Sequence, residues 1–236
     1  MAVTGTTTFA LASQDIILAA LRVLAVYGPQ DTVPAAEMTT ALQALNIIAK
    51  EFALQGLPLW KVEQVSIPTV AGQASYNLST ASASTLPLRI LDAMLVDTTV
   101  TPNSQVQLQI LSRYDFDKLG MPAQSGVPNQ IYYNPQLGSG QLIVFPVPTV
   151  TTYNIVVVAQ QQIDDFNALT DSPDFPQEAL LMLKWRLADE LALEYVTDAR
   201  ARAEIHQKAA MYAERFFAST QEQASIIFSP NRQGQR

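Results

Sequence analysis

No cysteine occurs anywhere in this chain, which excludes disulfide bridges, thiolate metal sites and cysteine nucleophiles. Charge is scarce: only 15% of the residues are Asp, Glu, Lys or Arg, against about 25% in an average soluble protein. Histidine occurs once, as His206, so the chain cannot offer a histidine pair for metal or proton chemistry. No apolar run is long enough for a membrane span. The most apolar stretch, Ile16 to Tyr27, is interrupted by Arg22 and falls short of the ~20 residues that a bilayer demands. Met1 to Thr8 lacks the basic opening of a secretory signal. The expectation is a soluble protein made in a cytoplasm, without a membrane partner.

What is present is apolar. Hydrophobic residues make up 48% of the 236, and mean hydropathy is +0.11. A chain of this length can bury one substantial core, or a core with a dependent subdomain. Sparse charge leaves apolar surface over, and such patches mark interfaces. Oligomerisation is therefore the first functional expectation. The formal charge of -7 and pI near 4.6 argue against a protein that grips nucleic acid over its whole surface.

Hydrophobic periodicity divides the chain in three. Near the start, Ser13 reads as an N-cap with Asp15 in the first turn, and Ile17, Leu21 and Leu24 recur at helical spacing until Gly28-Pro29. A second helix opens near Pro34, carries Met38, Leu42, Leu45, Ile48 and Phe52, and ends at Gly56 and Pro58. The short link between them predicts an antiparallel helical hairpin. The period then drops to two. Val65 and Ile67 lead through an Ala71-Gly72-Gln73 turn to Ser75 to Leu78, read as a first hairpin. Strands follow at Arg89 to Val96, Gln130 to Tyr133, Gln141 to Phe145 and Tyr153 to Ala159. The clearest alternation is Gln105 to Ile110, which predicts Val106, Leu108 and Ile110 on a buried face and three glutamines in water. Ser112 and Asp115 form a capping box for a short helix through Leu119.

Helical spacing returns after Asp174. Leu180, Leu183, Leu187, Leu191 and Tyr195 share one face of a third helix, with Leu181, Trp185 and Ala188 beside them, so this helix should be central. A fourth, from Asp198 to Ala224, carries Ile205, Ala209, Tyr212 and Phe216. The predicted fold class is α+β: residues 1–60 and 173–236 form an antiparallel helical bundle with an extended C-terminal tail, and residues 61–172 form an inserted small antiparallel β domain.

Candidate chemistry is thin. His206 stands four residues after Arg202 with no partner histidine, and reads as an ordinary exposed histidine. Asp164, Asp165, Asp171 and Asp174 lack calcium-loop spacing and read as a solvated loop whose later carboxylates favour the third helix N-terminus. Glu190 and Glu194 stand one turn apart with Arg186 four residues ahead, the pattern of a weakly paired outer face. Gly138-Ser139-Gly140 is not a nucleophile elbow, and no glycine loop for phosphate exists. Tyr132, Tyr133, Phe145 and Tyr153 lack interleaved Lys and Arg, so packing explains them better than a nucleic-acid platform. No cofactor, metal or enzymatic activity is expected.

Several short elements then fall in a familiar order: Leu57-Pro58-Leu59-Trp60, Ala71 to Leu78, Pro87-Leu88-Arg89-Ile90, Tyr132 to Gly138, Phe145-Pro146-Val147-Pro148, and Asp171 to Pro176. From about Ser13 to Ala218 the chain resembles the head-to-tail adaptors (tail accessory factors, or packaged-DNA stabilisation proteins) of short-tailed bacteriophages. The resemblance implies a virion protein, assembled in the host cytoplasm, that forms a ring of twelve beneath the portal protein. Such a ring extends the DNA channel, retains packaged DNA without binding it specifically, and receives downstream tail proteins such as a nozzle, fibre or needle. It also implies that the C-terminal stretch grips the portal, which assigns Ile226, Ile227 and Phe228 to apolar pockets, Pro230 to a restricted backbone, and Arg232 and Arg236 to a basic end. Alternatives are another neck protein, a gatekeeper or tail terminator, and a carbohydrate-binding or hydrolytic β module.

Overall fold

The computed structural model describes residues 9–55, 59–78, 86–121, 123–136 and 140–220. Helices α1 (Ser13–Val23) and α2 (Ala35–Gln55) come first, followed by a 3-10 turn at Leu59–Lys61. The β region holds β1 (Val62–Pro68), β2 (Ser75–Asn77), β3 (Arg89–Asp97), β4 (Ser104–Gln107) and β5 (Gln109–Ile110). Helix α3 (Arg113–Asp117) separates these from β6 (Ser125–Gly126), β7 (Gln130–Asn134), β8 (Gln141–Phe145), β9 (Val147–Pro148) and β10 (Tyr153–Gln160). Helices α4 (Leu180–Tyr195) and α5 (Ala199–Thr220) close the described chain.

Two hydrophobic cores result. The first gathers side chains from α1, α2, α4 and α5, with Ile17, Leu45, Leu183 and Leu187 each 0% exposed. Full burial of a leucine is worth about 1.5–3 kcal/mol. Helix α4 packs against α1, α2 and α5 alike, which is why two of its faces are apolar. Phe52, Trp60, Phe175, Phe216 and Phe217 meet at ring separations of 5.5 to 6.3 Å and close one end of this core.

The second core lies between two four-stranded sheets, ordered β1-β10-β3-β4 and β2-β8-β7-β5. Val65, Ile67, Ala93, Leu95, Ile155 and Val157 face inward from the first sheet. Tyr76, Leu78, Ile131, Leu142 and Val144 meet them from the second. Most pairings are antiparallel, but β5·β7 and the small β6·β9 pair are parallel.

Several expectations need correcting. The Val65 to Leu78 segment is not a hairpin: β1 pairs with β10 and β2 with β8. The turn carries Gly72 at φ +80° and swings the chain from one sheet to the other, so both strands bury into one core from opposite sides. The alternating segment 105–110 is not one strand either. Leu108 donates its N–H to Ala93 O at 2.8 Å, after which the chain leaves β3 for β7. Leu108 is 2% exposed, while Val106 is 56% and Ile110 39% exposed. A strand that turns a corner between sheets does not keep one face on one core. Helix α1 stops at Val23 rather than at Gly28-Pro29, with Ala25 at φ +56° taking the left-handed position. Gly28 instead donates to Asp31 Oδ2 at 2.6 Å in the following turn. Its N-cap is Ala12, and Ser13 turns inward to donate to Asp171 O at 2.6 Å. At α3 Ser112 does cap: its Oγ accepts from Asp115 N–H at 3.2 Å, while the Asp115 carboxylate accepts from the Ser112 hydroxyl at 2.6 Å.

Between the cores the chain crosses twice, and the crossings lie side by side. Gln161 N–H donates to Lys61 O at 2.7 Å, continuing the β1·β10 ladder toward the helices.

Candidate interaction surfaces

The acidic segment between β10 and α4 is a strap rather than a solvated loop. Asp174 pairs with Lys61 Nζ at 2.6 Å and accepts from Asp164 N–H at 3.0 Å, and the Lys61 side chain is only 10% exposed. Trp60 Nε1 donates to the Asp174 carbonyl at 3.3 Å. Asp165 pairs with Lys50 at 2.6 Å, and the same ammonium also reaches Ile163 O. Asp171 accepts from Asn167 and Ala168 N–H groups at 2.8 Å. Asn46 of α2 makes a reciprocal amide pair with the backbone of Phe166. Asp165 and Asp174 thus hold the strap to α2 and to the 59–61 turn, while Asp171 braces the strap internally. Sequence spacing could not show the two lysine pairs, because Lys50 and Lys61 lie more than a hundred residues away.

His206 is not without a partner. Its Nδ1 lies 3.0 Å from Asp189 Oδ2, and Asp189 also lies 3.6 Å from Arg186 Nη1. Arg186 continues to Glu51 Oε2 at 2.9 Å, so a chain of polar contacts ties α5 to α4 and α2. Arg186 therefore does not serve Glu190. Glu190 and Glu194 stand in water on α4, with no ion-pair partner among the described residues.

A second polar clamp joins the helix ends. Tyr27 OH donates to Glu37 Oε2 at 2.6 Å, and Tyr195 OH donates to the same oxygen at 3.3 Å. The Glu37 hydrogen bond pushes the Tyr27 phenol up to about 12, because ionising it would set an anion against a carboxylate. Tyr195 is raised by its burial and by Glu37.

The strand aromatics are packed. Tyr132 is 9% exposed and stacks on Phe116 at 5.0 Å. Tyr133 donates to Pro87 O at 2.6 Å, and burial pushes its phenol up. Phe145 and Tyr153 are half-buried. Ile226, Ile227, Phe228, Pro230, Arg232 and Arg236 lie outside the described residues, as does Ser139. Among the described residues no cluster of three metal-ligating side chains exists, and no helix is long and apolar enough to cross a membrane.

Apolar side chains do stand out elsewhere. Val70, Val100 and Val150, 39 to 47% exposed, sit in the three loops at one end of the first sheet, the end away from Lys61 and Gln161. On α4, Leu193 is 71% and Leu181 44% exposed. Leu181 had been expected on a buried face. It opens instead onto a groove of about 220 Å³ between α4 and α5.

Polar groups are thus held in structural pairs, while apolar side chains stand out on helices and loop tips. Comparison with known families places the chain. Residues 11–234 match the SU10 adaptor protein family, and the chain belongs to that family. The resemblance to bacteriophage head-to-tail adaptors is thereby borne out over nearly the whole chain. None of the curated proteins compared with the chain matches it.

Proposed function

We propose that this protein is the connector adaptor of a bacteriophage virion, assembling as a ring, of twelve copies by family resemblance, beneath the portal protein. In that position it extends the DNA channel, retains packaged DNA and offers downstream tail proteins their attachment site. The observation that carries this reading is the family match across residues 11–234, which takes in both hydrophobic cores. A structural adaptor has no need of a catalytic site, and none is assigned. The two cores fit a helical unit with an inserted β domain, divided by the sequence reading at residues 1–60 and 173–236 against 61–172, although Ile163 and Phe166 pack in the helical core. Twelve copies at -7 each carry -84 formal charges, a wall that repels phosphate and lets DNA slide without adhering. The C-terminal residues Ile226 to Arg236 are the proposed grip on the portal.

Deleting Ser225 to Arg236 tests the grip and the function together. The truncated chain should keep its thermal unfolding midpoint and lose co-sedimentation with the cognate portal. The full chain should shift to ring mass when portal is added, because weak lateral contacts strengthen once linked on a template. Unimpaired docking of the truncated chain would remove the grip. Absence of any portal complex with the full chain would remove the adaptor reading itself.

A further inference from the structure

Helix α4 carries two unlike surfaces. On one side, the groove beside Leu181 has Met182, Tyr212 and Phe216 in its lining, with Glu178 and Arg215 also contributing. Next to it Trp185 stacks on Tyr212 at 5.9 Å, and three cations gather around this pair. Lys184 and Lys208 sit 5.3 and 5.0 Å from the Trp185 ring, and Arg215 sits 5.8 Å from Tyr212. None of the three has an ion-pair partner among the described residues. This concentration of unpaired positive charge occurs in a chain whose net charge is -7.

The second surface has the opposite character. Leu193 projects into water, and Glu190 and Glu194 flank it, both exposed and both unpaired among the described residues. At 100° and 1.5 Å per residue, Leu181 and Leu193 lie about 120° apart around the helix and about 18 Å apart along it. One copy therefore cannot bring the two surfaces together. A second copy can: an apolar knob between two carboxylates matches an apolar groove beside three cations.

We propose that Leu193 of one copy seats in the Leu181 groove of the next, with Glu190 and Glu194 meeting Lys184, Lys208 and Arg215. Knob and groove are different patches, so the contact is heterologous and propagates head to tail, closing into a ring if the rotation per copy permits. The inference deepens the ring reading and rests on it only for closure. Nucleic acid suits the groove less well, because Tyr212 already covers one face of Trp185 and the Glu178 carboxylate in the lining opposes phosphate.

The cysteine-free background makes the test direct. Leu181→Cys and Leu193→Cys variants of the full chain, one carrying a mass label, are mixed in equal amounts and oxidised with a glutathione couple. Random encounter makes the mixed disulfide half of the dimeric product. The proposed contact predicts several-fold more mixed than like-with-like product, declining with salt as the charges are screened. Adding Glu190→Lys and Glu194→Lys to the Leu193→Cys chain should abolish that excess. Placing Lys208→Glu and Arg215→Glu on the Leu181→Cys chain should restore it. A mixed product at or below half, or charge reversal without effect, overturns the proposal, whatever the variants do to DNA or portal binding. The positions are exposed, so unchanged far-UV dichroism is expected and separates loss of contact from loss of fold. Portal-templated mass keeps the two readings distinct. A ring that persists in the charge-reversed single variants overturns this contact and leaves the ring standing, whereas cross-linking without a ring does the reverse.

Discussion

The Lys61–Asp174 pair tests how the strap is held. Lys61 has a side chain only 10% exposed, whereas that of Asp174 is 29% exposed. Removing one partner of such a pair leaves the other's charge behind, and the cost depends on which charge is stranded. Asp174→Ala strands a buried ammonium and also frees the Asp164 N–H it had bonded. Breaking a fully buried pair costs about 3–5 kcal/mol; partial exposure of the carboxylate brings the expected loss to roughly 3 kcal/mol. Lys61→Met removes the buried charge and leaves a carboxylate that water can reach, so about 1 kcal/mol is expected. The double substitution should be no worse than Asp174→Ala alone and should recover part of its loss. Urea unfolding with an unchanged m-value measures all three, and each kcal/mol should move Tm by about 2–4 °C. Equal losses from the two single substitutions would refute the reasoning, since the asymmetry follows from burial alone.

Three further outcomes follow from the fold and the clamp. Leu108→Ala should cost about 2–4 kcal/mol, whereas Val106→Thr should stay within about 0.5 kcal/mol, both by denaturant titration. Leu187→Ala, at the centre of the helical core, should cost about 3–5 kcal/mol in the same measurement. The Tyr27 phenol has a folded pKa raised from 10.0 to about 12, so its clamp contributes in full below pH 10 and is lost as pH rises through 12. Ultraviolet titration should show a phenol ionising near 12 that Tyr27→Phe removes.

Much of the helical part was legible because its signals are local. Pro34, the Leu180 to Tyr195 spacing and the Ile205 to Phe216 stripe each depend on residues within a few turns, and the helices lie where those signals fall. The α+β class followed from the change of period. What stayed hidden depends on distant pairing. Val106 and Ile110 alternate as a buried strand would, yet the corner at Leu108 sends them to different sheets. The strap carboxylates looked like surface charge because Lys50 and Lys61 come more than a hundred residues earlier. His206 looked solitary because Asp189 lies on another helix, 17 positions back. Leu181 and Leu193 could not be told from core leucines, since a helix with two apolar faces gives no sign of which neighbour is missing.

The side-by-side crossings between the cores have a mechanical meaning. In the proposed ring, a load along the channel axis would pass from the sandwich to the helices through Lys61 and Gln161 together. Two separate tethers would yield one after the other. Here Gln161 N–H bonds to Lys61 O, Leu88 N–H to Gln160 O, and Arg89 Nε to the Gln160 side chain. The coupled ribbon would share that pull across its rungs, so the two tethers would act as one.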